Sequence, residues 1–301
     1  MKADLAEHIL ASIGQEMRAD VRAFATALGR ENSAECVLFY GSNLRTGSRE
    51  GVLDFYVLLP GRQKDRIWPR ISYREMRFGD TELRAKIATM SMEKFHSAAS
   101  GQSLDTTIWT RFVQPGALAY RKDVEAELVA TEALAQAAMT AARIAAAIGP
   151  PSGTARAFWE ALFRQTYRAE FRVEKPGRER DILSNNAAHF DGMLTAAWDA
   201  QGLPYDKRGE HLTPLLSPRE RSHLQSYWSV RRRFGKSLNI ARLAKAAVTF
   251  DGAADYAAWK LQRHTGIALP VTPFRRAHPL LAMPGAALDF WRATRRRGDQ
   301  R

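Results

Sequence analysis

Three residues between positions 36 and 60, Gly41, Ser42 and Asp54, have types that suit phosphate chemistry. Gly41 lets the backbone turn sharply and approach a ligand closely. Ser42 adds a hydroxyl next to free backbone N–H groups, which together can bind phosphate oxygens. Asp54 is the only charge in an apolar stretch, where an aspartate is costly to bury unless it is paired or binds a metal ion. We therefore expect Gly41 and Ser42 to contact a nucleotide triphosphate and Asp54 to bind Mg²⁺, which bridges carboxylates and phosphates.

Two predicted strands position these residues. The apolar run 37–40 ends at Gly41, which indicates a buried strand followed by a tight turn. Residues 52–59 are again strand-like, and a polar loop, 43–51, separates the two strands. The nucleotidyltransferase core has this layout: a strand, a Gly-Ser turn, a loop, and a second strand that begins with an aspartate. This layout predicts an enzyme that transfers a nucleotide from a triphosphate, with Ser42 and Asp54 as catalytic residues.

The second predicted strand lacks one carboxylate of the usual pattern. Nucleotidyltransferases commonly carry Asp-x-Asp on this strand, and the second acidic position here is Tyr56. A single carboxylate binds Mg²⁺ poorly, so we expect a further acid from elsewhere in the chain. The candidates are Glu50, Asp80, Glu82 and Glu170. The alternative interpretation is a strand–turn–strand unit in which the aspartate is incidental.

The same segment resembles one nucleotidyltransferase family, the mitochondrial type of phosphatidate cytidylyltransferase, or CDP-diacylglycerol synthase, which has bacterial relatives. That family shows Tyr-Gly-Ser, then a loop, then Asp-Phe before apolar residues, and it also lacks a simple Asp-x-Asp. Here these positions are Tyr40-Gly41-Ser42 and Asp54-Phe55. The resemblance implies CTP and phosphatidic acid as substrates, CDP-diacylglycerol and pyrophosphate as products, and Mg²⁺ as the cofactor.

Three later segments extend the resemblance. In the first, at 111–120, Arg111 and Pro115 match the family, whereas Gln114 replaces a lysine. In the second, at 161–174, Tyr167, Glu170 and Arg172 fall on a tyrosine, an acid and an arginine. In the third, at 241–263, the matching residues are Lys245, Tyr256 and Lys260, with an apparent insertion from Thr249 to Asp255. The resemblance implies that Glu170 supplies part of the metal site and that three cations bind substrate, namely Arg172, Lys245 and Lys260.

A further lysine, Lys236, lies in the sequence Gly235-Lys236-Ser237. We predict that a late helix begins there, and a helix start with a lysine can bind a triphosphate. Lys236 is therefore a candidate nucleotide-binding residue. The alternative is a solvated lysine next to a helix cap. On the strand 83–90, the polar residue Lys86 faces either solvent or a site, and we expect solvent.

The composition indicates an anionic partner. The formal net charge is +13, from 45 basic and 32 acidic residues, which favours attraction to nucleic acid, anionic lipid or nucleotide without choosing among them. Basic triplets at 231–233 and 295–297 suit RNA but are more often solvated surface, so we expect no nucleic-acid partner. No run reaches the roughly 18 apolar residues that a membrane-spanning helix needs, and the N-terminus lacks a secretory signal. We expect a cytoplasmic protein bound peripherally to membranes; its oligomeric state stays open.

The predicted fold is α+β, with a small mixed-sheet nucleotidyltransferase core and a C-terminal helical lobe. We place the core at 1–121, the helical domain at 122–270 and a basic tail at 271–301. The tail combines Leu288, Phe290 and Trp291 with an arginine cluster at 292–297, so we predict that it docks on anionic membrane. Two alternatives remain: a nucleotidyltransferase acting on another small molecule, a protein or an RNA end, and an inactive protein that binds nucleotide or anionic lipid.

Overall fold

A computed structural model describes residues 3–48, 50–169 and 178–298, and the fold is α+β as predicted. The strands are β1 Cys36–Tyr40, β2 Leu53–Leu59, β3 Arg70–Phe78, β4 Thr81–Ser91, β5 Gly116–Arg121, β6 Gly153–Thr154, β7 Tyr205–Arg208 and β8 His211–Pro214. The helices are α1 Ala3–Ile13, α2 Ala19–Glu31, α3 Ser42–Thr46, α4 Met92–Ala99, α5 Thr107–Phe112, α6 Val124–Ile148, α7 Ala155–Ala169, α8 Arg178–Asn185, α9 Ala187–Phe190, α10 Met193–Ala200, α11 Pro218–Thr249, α12 Ala253–Thr265, α13 Pro273–Ala277 and α14 Pro279–Gly298.

The main sheet has the strand order β3-β4-β2-β1-β5 and is mixed. Strands β2 and β4 run parallel, whereas β1 pairs antiparallel with β2 and β5, and β3 pairs antiparallel with β4. The parallel pair is possible because a third strand, β3, lies between β2 and β4 in the sequence and provides the crossover. Residues near the start of β2 and β4 therefore meet at the same end of the sheet.

Alternation along the strands divides the sheet residues between two cores. One face packs on α2 through residues such as Phe24, Phe39 and Phe55. The other face packs on α1, α4, α5 and α6 through residues such as Leu38 and Tyr56. Helix α6 is rich in alanine and buried along most of its length, because small side chains let the neighbouring helices approach closely. This second core continues across residue 121 into the helical lobe, and the predicted domain boundary there stays a prediction.

The helical lobe contains a small sheet that the sequence did not indicate. Its strand order is β6-β8-β7, and the hairpin β7–β8 precedes α11. The predicted helix start at Gly235 is wrong, because α11 runs without interruption from Pro218 to Thr249. Gly235 instead lets α11 pack closely against the end of α7. An ideal Cβ on Gly235 would lie 2.6 Å from the carbonyl oxygen of Ala169 there. The described part of the predicted tail folds into α13 and α14.

Candidate functional site

Four residues on neighbouring strands form one row across the sheet, here called the Asp54 row. Tyr40 on β1 is opposite Asp54 on β2, Asp54 is opposite Lys86 on β4, and Lys86 is opposite Tyr73 on β3. The side chains share the face that packs on the helical lobe, because side chains alternate along each strand. The ammonium of Lys86 lies 4.0 Å from a carboxylate oxygen of Asp54, with the two side chains 41% and 30% exposed. Lys86 therefore faces the aspartate rather than solvent alone.

The carboxyl group of Asp54 sits in a mixed electrostatic environment. Burial raises the pKa of Asp54 above its usual value, while the charges of Lys86 and Arg111 act in the opposite direction. Burial disfavours the charged carboxylate, whereas nearby cations stabilise it. An additional cation, such as a bound metal ion, would favour the ionised form further.

The turn between β1 and α3 brings backbone directly beside Asp54. Gly41 has φ 93° and ψ −163°, a backbone conformation that L side chains rarely adopt. An ideal Cβ on Gly41 would lie 3.1 Å from Oδ2 of Asp54. The missing side chain therefore leaves space next to the carboxylate. Ser42 begins the short helix α3 and is exposed on the same turn.

The polar loop after Ser42 is fixed by the buried side chain of Asn43. Its amide donates hydrogen bonds to the carbonyl oxygens of Ser48 and Glu50, at 3.0 and 2.8 Å. The hydroxyl of Ser42 lies 3.4 Å from the side-chain oxygen of Asn43. These contacts close the loop that leads into β2 and hold Ser42 near the start of that strand.

Arg111 occupies the neighbourhood of the missing second carboxylate. Tyr56 replaces that acid and is buried, and its hydroxyl accepts a hydrogen bond of 3.0 Å from the guanidinium of Arg111. The same guanidinium lies over the rings of Tyr40 and Tyr56, at 5.1 and 5.8 Å from their centres. Two tyrosines thus position a cation where the common pattern has an acid. From the sequence, Arg111 was marked by the family resemblance alone, since the pairing with Tyr56 depends on how α5 packs.

Helix α12 covers the Asp54 row from the side of β3. The ring of Tyr256 lies 5.3 Å from that of Tyr73, and the ammonium of Lys260 lies 5.9 Å from the centre of the Tyr256 ring. Further along the helix, Arg263 reaches the loop before β2. An ideal Cβ on Gly51 in that loop would lie 3.0 Å from the guanidinium of Arg263. The structure thus places Lys260 on the helix beside the row, and its role in binding substrate stays a prediction.

A docked turn positions α12. Asp251 forms a bridge with Ser72, and the N–H of Tyr73 donates a hydrogen bond of 2.8 Å to the carbonyl of Asp251. Gly252 follows with φ 79°, and an ideal Cβ there would lie 2.5 Å from the carbonyl oxygen of Tyr73. Only a glycine permits this approach. The apparent insertion at 249–255 is therefore the segment that attaches α12 to the edge of the sheet.

The other predicted site residues lie elsewhere. Lys245 on α11 donates a hydrogen bond to the carbonyl of Ile67 and lies 3.5 Å from the carboxylate of Asp65. Lys245 and Asp65 line a polar cavity of about 870 Å³ near the end of β2 at Leu59, which is ~17 Å along the strand from Asp54. Lys236 is exposed within α11, away from any helix start. Glu170 and Arg172 lie outside the described residues.

Of the remaining candidates for a second carboxylate, Glu50 is exposed in the loop before β2, and Glu82 and Asp80 lie away from Asp54. Glu82 pairs with Arg84 and precedes Lys86 by four residues, or ~13 Å along a strand. Asp80 lies still farther, in the turn before β4. Within 3–48, 50–169 and 178–298, no cluster of three or more acid, histidine or cysteine side chains is arranged to bind a metal ion.

The residues around Asp54 nevertheless fit Mg²⁺ bound in one particular way. Mg²⁺ is commonly held by one or two carboxylates together with substrate phosphates and water. Asp54 offers one carboxylate, and the absent side chain of Gly41 leaves its Oδ2 accessible. The arrangement suits an ion that arrives with a triphosphate rather than one bound by protein alone.

No protein-family model and no curated protein matches the chain. The residues of the Asp54 row and the resemblance of short motifs are therefore the basis for proposing a function.

Proposed function

We propose that the protein is a nucleotidyltransferase that transfers CMP from CTP to phosphatidic acid and produces CDP-diacylglycerol and pyrophosphate. One observation carries the proposal: the side-chain-free turn at Gly41 lies against the carboxylate of Asp54. Lys86 and Arg111 act on the same carboxylate. A backbone turn, a carboxylate and two cations are the groups that binding and activation of a triphosphate require.

The proposed reaction is an in-line displacement at the α-phosphorus of CTP. A phosphate oxygen of phosphatidic acid forms the new P–O bond, and the bond to pyrophosphate breaks. The attacking oxygen is already an anion, so no strong general base is needed. The protein must instead hold two anions that repel each other in position for reaction. It must also offset the negative charge that develops between them in the transition state.

The residues of the site have distinct tasks in this reaction. The backbone at Gly41 approaches the triphosphate, and the hydroxyl of Ser42 donates to a phosphate oxygen. Lys86 and Arg111 offset negative charge at the reacting phosphates, and Lys260 on α12 attracts the second anion. Mg²⁺ bound through Asp54 would supply further charge neutralisation at the phosphates.

Helix α14 supports a lipid acceptor. Leu281, Leu288 and Trp291 are exposed along one stripe of this helix, and the guanidinium of Arg295 lies 3.8 Å from the centre of the Trp291 ring. Exposed apolar residues next to arginines suit the interface of an anionic membrane. No helix in the described part of the chain is both long and apolar enough to span a bilayer. We therefore propose that the enzyme reaches phosphatidic acid by peripheral contact through α14.

A radiochemical assay tests the reaction. The full-length protein is incubated with CTP labelled at the α-phosphate, vesicles containing phosphatidic acid, and Mg²⁺. We expect the label to enter the lipid extract as CDP-diacylglycerol, with release of one pyrophosphate per product. Parallel reactions replace the vesicles by RNA, a protein mixture or small alcohols and amines. Labelling of one of these acceptors with no lipid product would overturn the proposal for phosphatidic acid, and no transfer to any acceptor would overturn enzymatic activity.

A further inference from the structure

A second cavity, of about 500 Å³, lies between α12 and α14. Its size falls within the range of small-molecule sites, roughly 300–1,000 Å³. On α12 it is lined by a stripe that includes Ala254, Ala258 and Leu261. On α14 the facing stripe includes Ala282 and Ala286. Both stripes recur about once per helical turn, and their small side chains leave the space between the two helices open.

The walls of this cavity suit hydrocarbon. Among the described residues that line it, Arg275 alone is charged, and its guanidinium donates to the carbonyl of Pro270 and pairs with Asp289. The other lining side chains are alanine, leucine, valine, proline, methionine and phenylalanine. A guest would find apolar contacts and almost no hydrogen-bonding partner. The cavity therefore favours an unbranched apolar chain over a nucleotide or a sugar.

Helix α12 forms a wall of both this cavity and the Asp54 row. The stripe with Ala258 faces the cavity, and the opposite stripe with Tyr256 faces Tyr73 in the row. An α-helix is about 10 Å thick, which a long acyl chain exceeds when extended. An amphiphile can therefore place its anionic head on one side of α12 and a chain on the other.

The mouth of the cavity adjoins the exposed apolar side of α14. Met283 lines the cavity and is itself exposed, and Leu281 beside it is also exposed. Arg295 is one of the arginines that accompany this surface. A lipid leaving a bilayer would meet apolar side chains continuously from the exposed stripe to the cavity, with cations available for its phosphate.

We propose that the cavity between α12 and α14 binds one acyl chain of the lipid acceptor while the phosphate head lies at the Asp54 row. This inference rests on the proposed function for the identity of the lipid. It adds that the enzyme selects acceptors by chain length, because a short chain does not reach the cavity.

Filling the cavity tests the inference. The change Ala258→Trp places a large ring inside it, and Gln262→Trp introduces the same ring at an exposed position of the same helix. Binding of cis-parinaric acid, a fluorescent long-chain fatty acid, is titrated against the full-length wild type and both variants. We expect at least a tenfold weaker affinity in Ala258→Trp and an unchanged affinity in Gln262→Trp.

The kinetic arm compares long-chain phosphatidic acid with the water-soluble dihexanoyl form. We expect Ala258→Trp to raise KM for the long-chain substrate at least tenfold and to leave kcat/KM for the dihexanoyl substrate unchanged. Circular dichroism checks folding, and Ala258→Leu provides a milder filling if the tryptophan variant does not fold.

Two results overturn the inference: unchanged binding of the fatty acid in a folded cavity-filled variant, or equal losses for long and short substrates. Unchanged binding of the fatty acid can occur in an active cytidylyltransferase. The inference about the cavity can therefore be disproved while the proposed reaction stands. Conversely, chain binding that is lost only when the cavity is filled, in a protein that converts no phosphatidic acid, supports the cavity and overturns the proposed reaction.

Discussion

A lysine lies next to an aspartate at each end of the parallel pair β2–β4, and the two pairs differ in geometry. At the beginning of the strands, Lys86 and Asp54 are 4.0 Å apart, and burial raises the pKa of the carboxyl group. Beyond their other end, Lys245 and Asp65 are 3.5 Å apart, and Lys245 is 19% exposed and also donates to a backbone carbonyl. Arg70 lies within 3.5 Å of Asp65 as well.

The two ion pairs differ in what they can do. The Lys245–Asp65 pair joins parts of the fold, whereas the Lys86–Asp54 pair can interact with a ligand. Asp65 is shared by two cations and fixes α11 to the loop before β3. At Asp54 the contact with lysine is longer, burial disfavours the charged carboxylate, and the neighbouring glycine leaves space beside it. A polar cavity of about 870 Å³ nevertheless lies at the Asp65 end. The proposed site at Asp54 therefore does not coincide with this cavity.

The largest expected effect distinguishes the two aspartates. We expect Asp54→Asn to lower turnover by about 100-fold or more, because a metal-bridged charge at the reacting phosphates is lost. Asp65→Asn should keep turnover close to the wild type. Formation of labelled CDP-diacylglycerol measures both, with circular dichroism as the check of folding. A folded Asp54→Asn enzyme with wild-type turnover would contradict the assignment of the site.

Two glycines allow a matched test of the phosphate contact. Gly41 and Gly61 both have positive φ, at 93° and 74°, but among the described residues nothing lies within 4 Å of an ideal Cβ on Gly61. We expect Gly41→Val to weaken CTP binding at least tenfold, since a side chain there blocks close backbone approach. Gly61→Val also places a side chain at a positive φ, but next to no neighbouring atom, and should leave the affinity unchanged. Isothermal titration calorimetry measures the affinity of each variant for CTP. Equal affinities in the two folded variants would disprove the phosphate contact.

The smallest effects concern the two lysines. We expect Lys86→Ala to reduce kcat/KM for CTP by about tenfold with little change in stability, because long, partly exposed ion pairs contribute little to folding. Lys245→Ala should instead lower the free energy of unfolding by about 1 kcal/mol, and leave kcat/KM within about twofold of the wild type. Urea denaturation and steady-state kinetics provide the two measurements. A large kinetic loss in Lys245→Ala would restore the substrate-binding role that the family resemblance implies.

Much of the fold followed from local patterns in the sequence. The apolar run before Gly41 and the aspartate at the start of the next strand predicted β1, the turn and β2, and the structure has them in those places. The alanine-rich run before Gly149 forms α6, which ends where Pro150 and Pro151 follow. These features depend on neighbouring residues: strand periodicity, a glycine that permits a turn, and prolines that end a helix.

Which residues meet at the candidate site depends on contacts between segments that are distant in the sequence. Lys86 was expected to face solvent, but the register of β2 with β4 puts it opposite Asp54. No local pattern in β4 specifies that register. The interruption predicted at Gly235 does not exist, because the glycine permits α11 to pack closely against the end of α7.

Lys245 and Lys260 show most clearly what the sequence determined and what the tertiary structure decided. The sequence determined that both are cations in a predominantly helical segment, and the family resemblance implied the same role for both. The turn at Gly252 docks on β3, ends α11 and begins α12. Lys245 therefore pairs with Asp65, and Lys260 lies on the helix beside the Asp54 row. The physical reason is the hydrogen bond between Tyr73 and Asp251, together with a close approach that only glycine allows.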